Sequence, residues 1–255
     1  MNIIYAEDYA DLSRKAANQI AAQVILKPES VLGLATGSSP LGTYRRLIEL
    51  YDAGDVDFAA CRAVNLDEYC GLAEQNDQSY AYFMRENLFR HINIRPENTH
   101  IPDGMNRDME AECRRYEEII ASLGGIDLQL LGIGHNGHIG FNEPTGSFSR
   151  YTHCVELAKQ TVDANSRFFA KREDVPTHAY TMGIGTIMAA SKILLIASGE
   201  GKAHILLEMA AGPICPQVPA SILQLHSDVT VIADKAALGL LMEKAPHLVT
   251  GAPVV

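Results

Sequence analysis

The sequence lacks the features that mark secreted, zinc-binding and membrane proteins. It contains no tryptophan, 7% aromatic residues and five scattered cysteines that form no C-x-x-C pair. An odd number of cysteines without such pairs argues against a disulfide framework or a zinc site and indicates reduced thiols. The first residues show no secretory pattern, and no apolar run reaches the roughly 18 residues of a membrane span. We therefore predict a cytoplasmic protein with no membrane partner.

Positive charge is also scarce. The chain has 21 Lys and Arg residues against 31 Asp and Glu residues, which gives a net charge of -10. Such an acidic protein is a poor non-specific ligand for nucleic acid, although local charge can still bind small anions. The hydrophobic content of 47% is that of a globular protein with a real core. We predict no nucleic-acid partner.

Short apolar runs and amphipathic segments alternate along the chain. The runs predict strands at residues 3–6, 31–35, 62–66, 99–101, 126–133, 151–157, 179–182, 192–197 and 229–233. The intervening segments predict helices at residues 8–26, 40–51, 78–92, 108–123, 161–171, 184–190, 198–209 and 221–225. This alternation is typical of α/β proteins with a mostly parallel sheet covered on both faces. We expect one domain over residues 1–255, a candidate lid at about 153–180, and a surface extension from Pro246 onward.

The most specific stretch is LLGIGHNGHIGFNEP, residues 130–144, in which an apolar strand runs into a glycine-rich loop. Glycines at this density allow sharp turns and close approach to a ligand. In open α/β sheets, ligands bind at the carboxyl ends of strands, where this loop stands. His135 and His138 could ligate a metal with Glu143, but the chain offers no matching Cys or His set. The alternative is acid–base chemistry, with His138 as proton carrier and Glu143 as its partner.

Two further loops have the composition of phosphate sites. They are TGSSP at residues 36–40 and SGEGK at residues 198–202, and each joins a predicted strand to a helix. Backbone N–H groups at helix starts bind phosphate, although a simple helix cap also explains either loop. A lysine in the first helical turn opposes the helix dipole, which favours an anion near Lys202. Arg167 is a further candidate cation. Asp67, at the end of a predicted strand, is a candidate base because desolvation raises a carboxyl pKa.

Six segments together resemble one enzyme family. In chain order they are VLGLATGSSP, VNLDEYCGL, LLGIGHNGHIGFNEP, ANSRFF, SGEGKA and PASILQLH. Over residues 3–233 they resemble the glucosamine-6-phosphate deaminases, also called glucosamine-6-phosphate isomerases. The resemblance implies a Rossmann-like three-layer α/β/α fold. It also implies conversion of glucosamine 6-phosphate and water to fructose 6-phosphate and ammonia, without cofactor or metal, and we class this activity with the hydrolases.

The resemblance also implies roles for individual residues. Asp67 matches the family's base, which moves a proton from C2 to C1 of the sugar through an enolamine. His138 matches the residue that carries a proton during ring opening, and Glu143 matches its partner. Another expected site residue is Asn136, a neighbour of His138. The expected phosphate-binding residues are Thr36, Gly37, Ser38, Arg167 and Lys202.

Two features depart from the family's pattern. Its best-known members carry Asp where this chain has Asn136, and an amide can orient His138 only by hydrogen bonding. Members activated by N-acetylglucosamine 6-phosphate carry Arg, Lys and Thr where this chain has His153, Val155 and Glu156. Since a glutamate repels phosphate, we expect this allosteric site to be absent. A monomer or a homo-oligomer is expected, and the allosteric hexamer is disfavoured.

Two other functions compete with this prediction. The 6-phosphogluconolactonases share the fold, but they typically carry Asp-Glu-Arg in place of DEY, and Asp-Gly-His followed by a different apolar segment that lacks NEP. A non-catalytic sugar-phosphate sensor would keep the phosphate-binding residues and could lose Asp67 or His138, yet both are present. The deaminase therefore stays the first prediction.

Overall fold

The computed structural model describes residues 1–157, 162, 166 and 171–252. The strands are β1 (Asn2–Ala6), β2 (Val31–Leu34), β3 (Arg62–Asn65), β4 (Asp67–Tyr69), β5 (Thr99–His100), β6 (Leu128–Leu131), β7 (His153–Glu156), β8 (His178–Thr181), β9 (Lys192–Ala197), β10 (Val229–Asp234) and β11 (Val249–Thr250). The α-helices are α1 (Tyr9–Leu26), α2 (Leu41–Asp52), α3 (Tyr80–Asn87), α4 (Met109–Ser122), α5 (Ile184–Met188), α6 (Ala203–Ala211) and α7 (Lys235–Lys244). None of these helices is long and apolar enough to cross a membrane.

Eight strands form one parallel sheet, in the order β11-β1-β10-β9-β6-β2-β3-β5. Helices α1 and α2 pack side by side, as do α6 and α7. The result is the predicted three-layer α/β/α architecture. From β2 the chain moves outward to β3 and β5, and it then returns to the other side of β2 with β6. Such a switch point opens a crevice at the carboxyl ends of the strands, where α/β proteins bind ligands.

A polar residue at the centre of the sheet explains a glycine in the neighbouring strand. Strand β6 is wholly buried although it contains Gln129. Nε2 of Gln129 donates to the carbonyl oxygen of Leu130 at 2.9 Å. The rest of the amide lies across Gly33 of β2, where a Cβ atom would overlap it. Gly33 therefore leaves room for a buried amide between two central strands.

A second, antiparallel sheet holds β4, β8 and β7 in that order. Asp67 pairs with Thr181 of β8, and His153 of β7 pairs with Thr181 from the other side. Asp67 follows the end of β3, as expected, and it also begins a strand of its own in this small sheet. Strands β7 and β8 fall within the predicted lid. The helix predicted at 161–171 lies largely outside the described residues, so the lid stays a prediction.

The end of the chain differs from the prediction. Helix α7 begins directly after β10, and the carboxylate of Asp234 caps it by accepting from the Ala237 N–H at 2.9 Å. The segment from Pro246 is more than a surface extension, because Val249–Thr250 forms the edge strand β11 beside β1. A two-residue strand has no hydrophobic periodicity, which is why the sequence pattern did not indicate it.

Candidate active site

The loops after β9, β6 and β2 meet at one edge of the sheet, beside Asp67 at the start of β4. The loops after β6 and β2 approach closely, since a Cβ atom on Gly132 would lie 3.9 Å from Oγ of Ser39. Nζ of Lys202 donates to the carbonyl oxygen of Ile133 at 2.7 Å and so joins the third loop to them. This edge carries all the predicted site residues except Arg167, which lies outside the described residues.

His138, Glu143 and Asn136 form one connected group in the loop after β6. Nδ1 of His138 lies 3.0 Å from Oε1 of Glu143. Nδ2 of Asn136 donates to Oε2 of Glu143 at 2.5 Å, and its Oδ1 accepts from the backbone N–H of His138 at 3.2 Å. Contact with His138 lowers the pKa of Glu143, and the hydrogen bond from Asn136 lowers it further. Glu143 is therefore a charged partner for an imidazole that gains a proton.

The glycines of this loop make its shape possible. The backbone N–H of Gly134 donates to the carbonyl oxygen of His138 at 2.9 Å, and the imidazole lies against Gly134 so closely that a Cβ atom would overlap it. Gly137 has a φ of +85°, a conformation that side chains disfavour. Nδ2 of Asn142 donates to the carbonyl oxygens of Ile139 and Met182 at 2.9 and 2.8 Å, which fixes the loop's far end.

The two histidines of the loop have different partners. Nδ1 of His135 lies 3.0 Å from the carbonyl oxygen of Gly201 in the loop after β9. His138 instead lies beside Glu143. In the described part of the chain, no group of three His, Cys, Asp or Glu side chains is placed to hold a metal ion. His135 thus joins two loops at the edge of the site.

Asp67 lies across the loop backbone from this group. Its carboxylate is 7% exposed, and Oδ2 is 3.9 Å from where a Cβ atom on Gly140 would stand. No hydrogen-bond partner among the described residues reaches Oδ1. Burial raises the pKa of Asp67 well above the usual range, and the negative charge of Glu68 adds to the rise. A buried carboxylate with an available oxygen is a suitable general base near neutral pH.

The loop after β2 is exposed and has an unusual backbone. Gly37 has a φ of +89°, and Gly37 and Ser38 are open to solvent. Below the loop, the hydroxyl of Tyr9 donates to the carbonyl oxygens of Ser38 and Ser39 at 3.1 and 3.0 Å. These two carbonyl oxygens thereby accept from a protein donor. Thr36, Gly37 and Ser38 thus stand at the site's edge, where an anion can reach them.

The loop after β9 contributes one residue to the site and not the row of donors expected from SGEGK. The hydroxyl of Ser198 hydrogen-bonds to the carboxylate of Asp234, and the N–H of Gly199 donates to the same carboxylate at 3.1 Å. These donors are therefore unavailable to a phosphate. Lys202 remains, and burial lowers its pKa. Its ammonium has three N–H donors, of which the contact with Ile133 uses one.

Three other side chains connect these parts. Oγ1 of Thr181 in β8 accepts from the Phe141 N–H at 3.0 Å, so it joins the small sheet to the loop of His138. The hydroxyl of Tyr80 donates to the Tyr69 hydroxyl at 3.2 Å and lies near Thr36. Glu68 accepts from three backbone N–H groups. Glu68 stands next to Asp67 in the sequence, but no pattern distinguishes Tyr80 or Thr181 from ordinary core residues.

Together, the fold and the site define a three-layer α/β protein with a candidate acid–base site at the carboxyl ends of its parallel strands. The chain belongs to the family described as Glucosamine-6-phosphate isomerases/6-phosphogluconolactonase, whose model matches residues 6–232. This family contains both of the enzyme classes that the sequence left in competition.

Individual relatives favour one of the two classes. The chain is 63% identical over 232 residues to a glucosamine-6-phosphate deaminase of Lachnoclostridium phytofermentans, covering 91% of this chain and 98% of that one. It is 55% identical over 249 residues to the deaminase of Clostridioides difficile, covering 98% of this chain and all of the other. Since these relatives are named deaminases, grouping the activity with the hydrolases is wrong.

Among solved structures, too, a deaminase resembles this chain more than a lactonase does. A monomeric glucosamine-6-phosphate deaminase matches with a TM-score of 0.89 and 48% identity, covering 94% of this chain and all of that one. A 6-phosphogluconolactonase from Thermotoga maritima matches with a TM-score of 0.74 and 20% identity, covering 92% and 99% of the two chains. At that identity the second match shows only a shared fold.

Proposed function

We propose that this chain is a glucosamine-6-phosphate deaminase, which converts glucosamine 6-phosphate and water to fructose 6-phosphate and ammonia. One observation carries the proposal. Asp67 is a buried carboxylate whose Oδ1 has no partner among the described residues, and it faces the loop of His138 and Glu143. The proposal is also supported by the 63% identity to a named deaminase. An aldose–ketose conversion needs a base for a C–H proton, and Asp67 has the surroundings of one.

We assign the opening of the sugar ring to His138 and its neighbours. Opening moves a proton from the hydroxyl on C1 to the ring oxygen. An imidazole can accept and return a proton near neutral pH. Glu143 lies 3.0 Å from Nδ1 of His138 and stabilises the imidazolium that forms in between. Asn136 holds Glu143 from the other side through its 2.5 Å hydrogen bond.

We assign the second proton transfer to Asp67. The carboxylate removes the proton from C2 of the open sugar, and the aldehyde oxygen on C1 takes up a proton from the substrate's own ammonium group, which leaves an enolamine. The proton taken from C2 then returns to C1, and this gives an iminium group at C2 that water hydrolyses to a ketone and ammonia. Because burial and Glu68 raise the pKa of Asp67, its carboxylate binds a proton more strongly than an exposed aspartate does. Such a base matches a weakly acidic C–H better.

The phosphate is assigned to the loops after β2 and β9. Thr36, Gly37 and Ser38 would surround it with backbone N–H groups and hydroxyls, and Lys202 would supply positive charge. The exposed backbone at Gly37 and the partly buried ammonium of Lys202 support this assignment. Arg167 is proposed as a second cation on the basis of the family resemblance alone.

We further propose a monomer that acts in the cytoplasm. A deaminase described as monomeric is 48% identical to this chain over its whole length. His153, Val155 and Glu156 stand where activated relatives carry Arg, Lys and Thr, so we expect little activation by N-acetylglucosamine 6-phosphate. The five cysteines are free thiols in the structure, which suits a reducing compartment.

The test is ammonia release from glucosamine 6-phosphate, measured beside hydrolysis of 6-phosphogluconolactone. We expect ammonia release by the wild type, and a loss of about 100-fold or more in kcat for Asp67→Asn because the base is removed. The matched control is Asp52→Asn, since Asp52 is exposed at the end of α2. Lactone hydrolysis without ammonia release would replace the proposal by the lactonase. Full turnover by Asp67→Asn would remove Asp67 from its role.

A further inference from the structure

We propose that Glu68 is a positioning residue of this site: its buried carboxylate fastens the start of α3 to β4 and holds a second negative charge beside Asp67. The inference rests on the proposed function. Glu68 is 2% exposed and is the neighbour of Asp67 in β4. Buried carboxylates are costly, and one that contacts no substrate needs a structural or electrostatic reason.

The hydrogen bonds of Glu68 show what it holds. Oε1 accepts from the N–H of Tyr69 at 2.8 Å and from that of Tyr80 at 2.9 Å. Oε2 accepts from the N–H of Ala81 at 2.9 Å. Tyr80 and Ala81 are the first two residues of α3, so Glu68 satisfies N–H groups that have no partner within the helix. A carboxylate at this end of a helix is also stabilised by the helix dipole.

The start of α3 matters because of what Tyr80 contacts. Its hydroxyl donates to that of Tyr69 in β4 at 3.2 Å and lies near Thr36 in the candidate phosphate loop. Its ring stacks on Phe141 of the loop of His138, with centroids 6.2 Å apart and planes 6° apart. Glu68 thus fixes a helix end that contacts β4 and the loop of His138 and lies near the loop after β2.

The charge of Glu68 acts on Asp67 directly. Among the described residues, the titratable groups that face Asp67 from neighbouring helices are phenols, which are neutral near pH 7 because burial raises their pKa, namely Tyr44, Tyr80 and Tyr116. Within the same part of the chain, Glu68 is the charged group that raises the pKa of Asp67 besides burial. Burial raises the pKa of Glu68 as well, and its three N–H donors oppose that rise. Glu74 faces Glu68 from the exposed side.

The charge is tested with Glu68→Gln, which keeps the size of the side chain and removes its charge. The readout is the acid limb of kcat/KM against pH for ammonia release, which reports ionisation of the base in the free enzyme. Removing a like charge lowers the pKa of Asp67. We expect the limb to move to lower pH by about one to two units. The matched control is Glu74→Gln, in which the exposed charge is screened and the limb should move by less than about 0.3 unit.

The fastening is tested with Glu68→Asp, which keeps the charge and withdraws the carboxylate from Tyr80 and Ala81. We expect the acid limb to stay near that of the wild type, while KM rises about tenfold because the start of α3 no longer holds Tyr80 against Tyr69 and Phe141. A purely structural role would lower the melting temperature of both variants and leave both limbs in place. That outcome overturns the proposal.

Failure of a variant to fold and failure of the proposed function can each be told apart from failure of the role of Glu68. If Glu68→Gln does not yield folded protein by circular dichroism, Glu68→Asp decides alone, and an unchanged KM in it overturns the fastening. If the wild type releases no ammonia from glucosamine 6-phosphate, the proposed function fails, and the result concerns that function and not Glu68. A wild type that is active, together with unshifted variants, refutes the role of Glu68 alone.

Discussion

Asp67 and Glu143 are two carboxylates of one site, yet their surroundings shift their proton affinities in opposite directions. Asp67 is 7% exposed in a strand, beside the negative charge of Glu68, and burial raises its pKa. The side chain of Glu143 is 38% exposed in a glycine-rich loop, and contact with His138 lowers its pKa. The first favours the protonated form and the second the charged form.

This difference matches two kinds of chemistry. A base that removes a C–H proton works best when its conjugate acid is weak, whereas the partner of a proton-carrying histidine must keep its charge. Pairs of titratable groups with separated pKa values mark acid and base roles in enzymes. In the proposed mechanism, the strand supplies the base and the loop supplies the charged partner. The comparison fails if the surroundings of either carboxylate can be changed to resemble those of the other without a loss of activity.

The largest effect is expected from Gly134→Ala, which disturbs only the loop side of the comparison. A Cβ atom at residue 134 would overlap the imidazole of His138 and push it away from Glu143. Misplacing a catalytic group by about 1 Å can cost about 100-fold, and we expect kcat/KM for ammonia release to fall by that factor.

The matched control is Gly146→Ala. A Cβ atom on Gly146 would meet no atom within 4 Å, so we expect activity within about twofold of the wild type. Circular dichroism should show both variants folded. Wild-type kcat/KM in Gly134→Ala would mean that the His138–Glu143 geometry is not needed for turnover.

The loop side was largely visible in the sequence, whereas the strand side was visible only in part, because the sequence placed Asp67 at a strand end but did not indicate the small sheet that holds it. The apolar run of β6, its glycines and the residues His138 and Glu143 form one continuous pattern, so local reasoning sufficed. The parallel arrangement of the central sheet also follows from the alternation of strands and helices.

The position of Asp67 depends on contacts that no local pattern encodes. Strand β4 has three residues and pairs with β8, more than 100 residues later in the chain. The same limit applies to the edge strand at Val249–Thr250. The same limit applies to Asp234. Its carboxylate accepts hydrogen bonds from Ser198 and Gly199, which the sequence pattern predicted as donors to a phosphate. Contacts between distant segments decide such cases.

The next effect concerns the free energy of unfolding, whose dependence on pH has opposite signs for the two carboxylates. Because the folded pKa of Asp67 is raised, its contribution to stability is full below pH of about 4 and is lost as pH rises through the folded pKa. Asp67→Asn cannot ionise. Relative to the wild type it should therefore gain about 2 kcal/mol between pH 4 and pH 8, or about 4–8 °C in melting temperature.

Glu143→Gln should show the opposite and smaller trend. The folded pKa of Glu143 is lowered, so its contribution is present above pH of about 4.3 and is lost as pH falls through the folded pKa. Because Glu143 is partly exposed, we expect less than about 0.5 kcal/mol. Thermal unfolding from pH 4 to pH 8 measures both trends, and parallel curves for the two variants would contradict the difference drawn between them.

The smallest effect is expected from Asn136→Asp, which gives the loop the residue of the family's best-known members. In this chain Nδ2 of Asn136 donates to Oε2 of Glu143 at 2.5 Å, so an aspartate there would bring two carboxylates together. Like charges raise each other's pKa, and Glu143 would lose its charge at a higher pH than in the wild type. We expect the acid limb of kcat to move up by about one unit, with less than tenfold change at pH 8. Asn106→Asp, outside the site, is the control. A limb that stays in place would show that Asn136 and Glu143 do not act together, and that the charge of Glu143 is set by His138 alone.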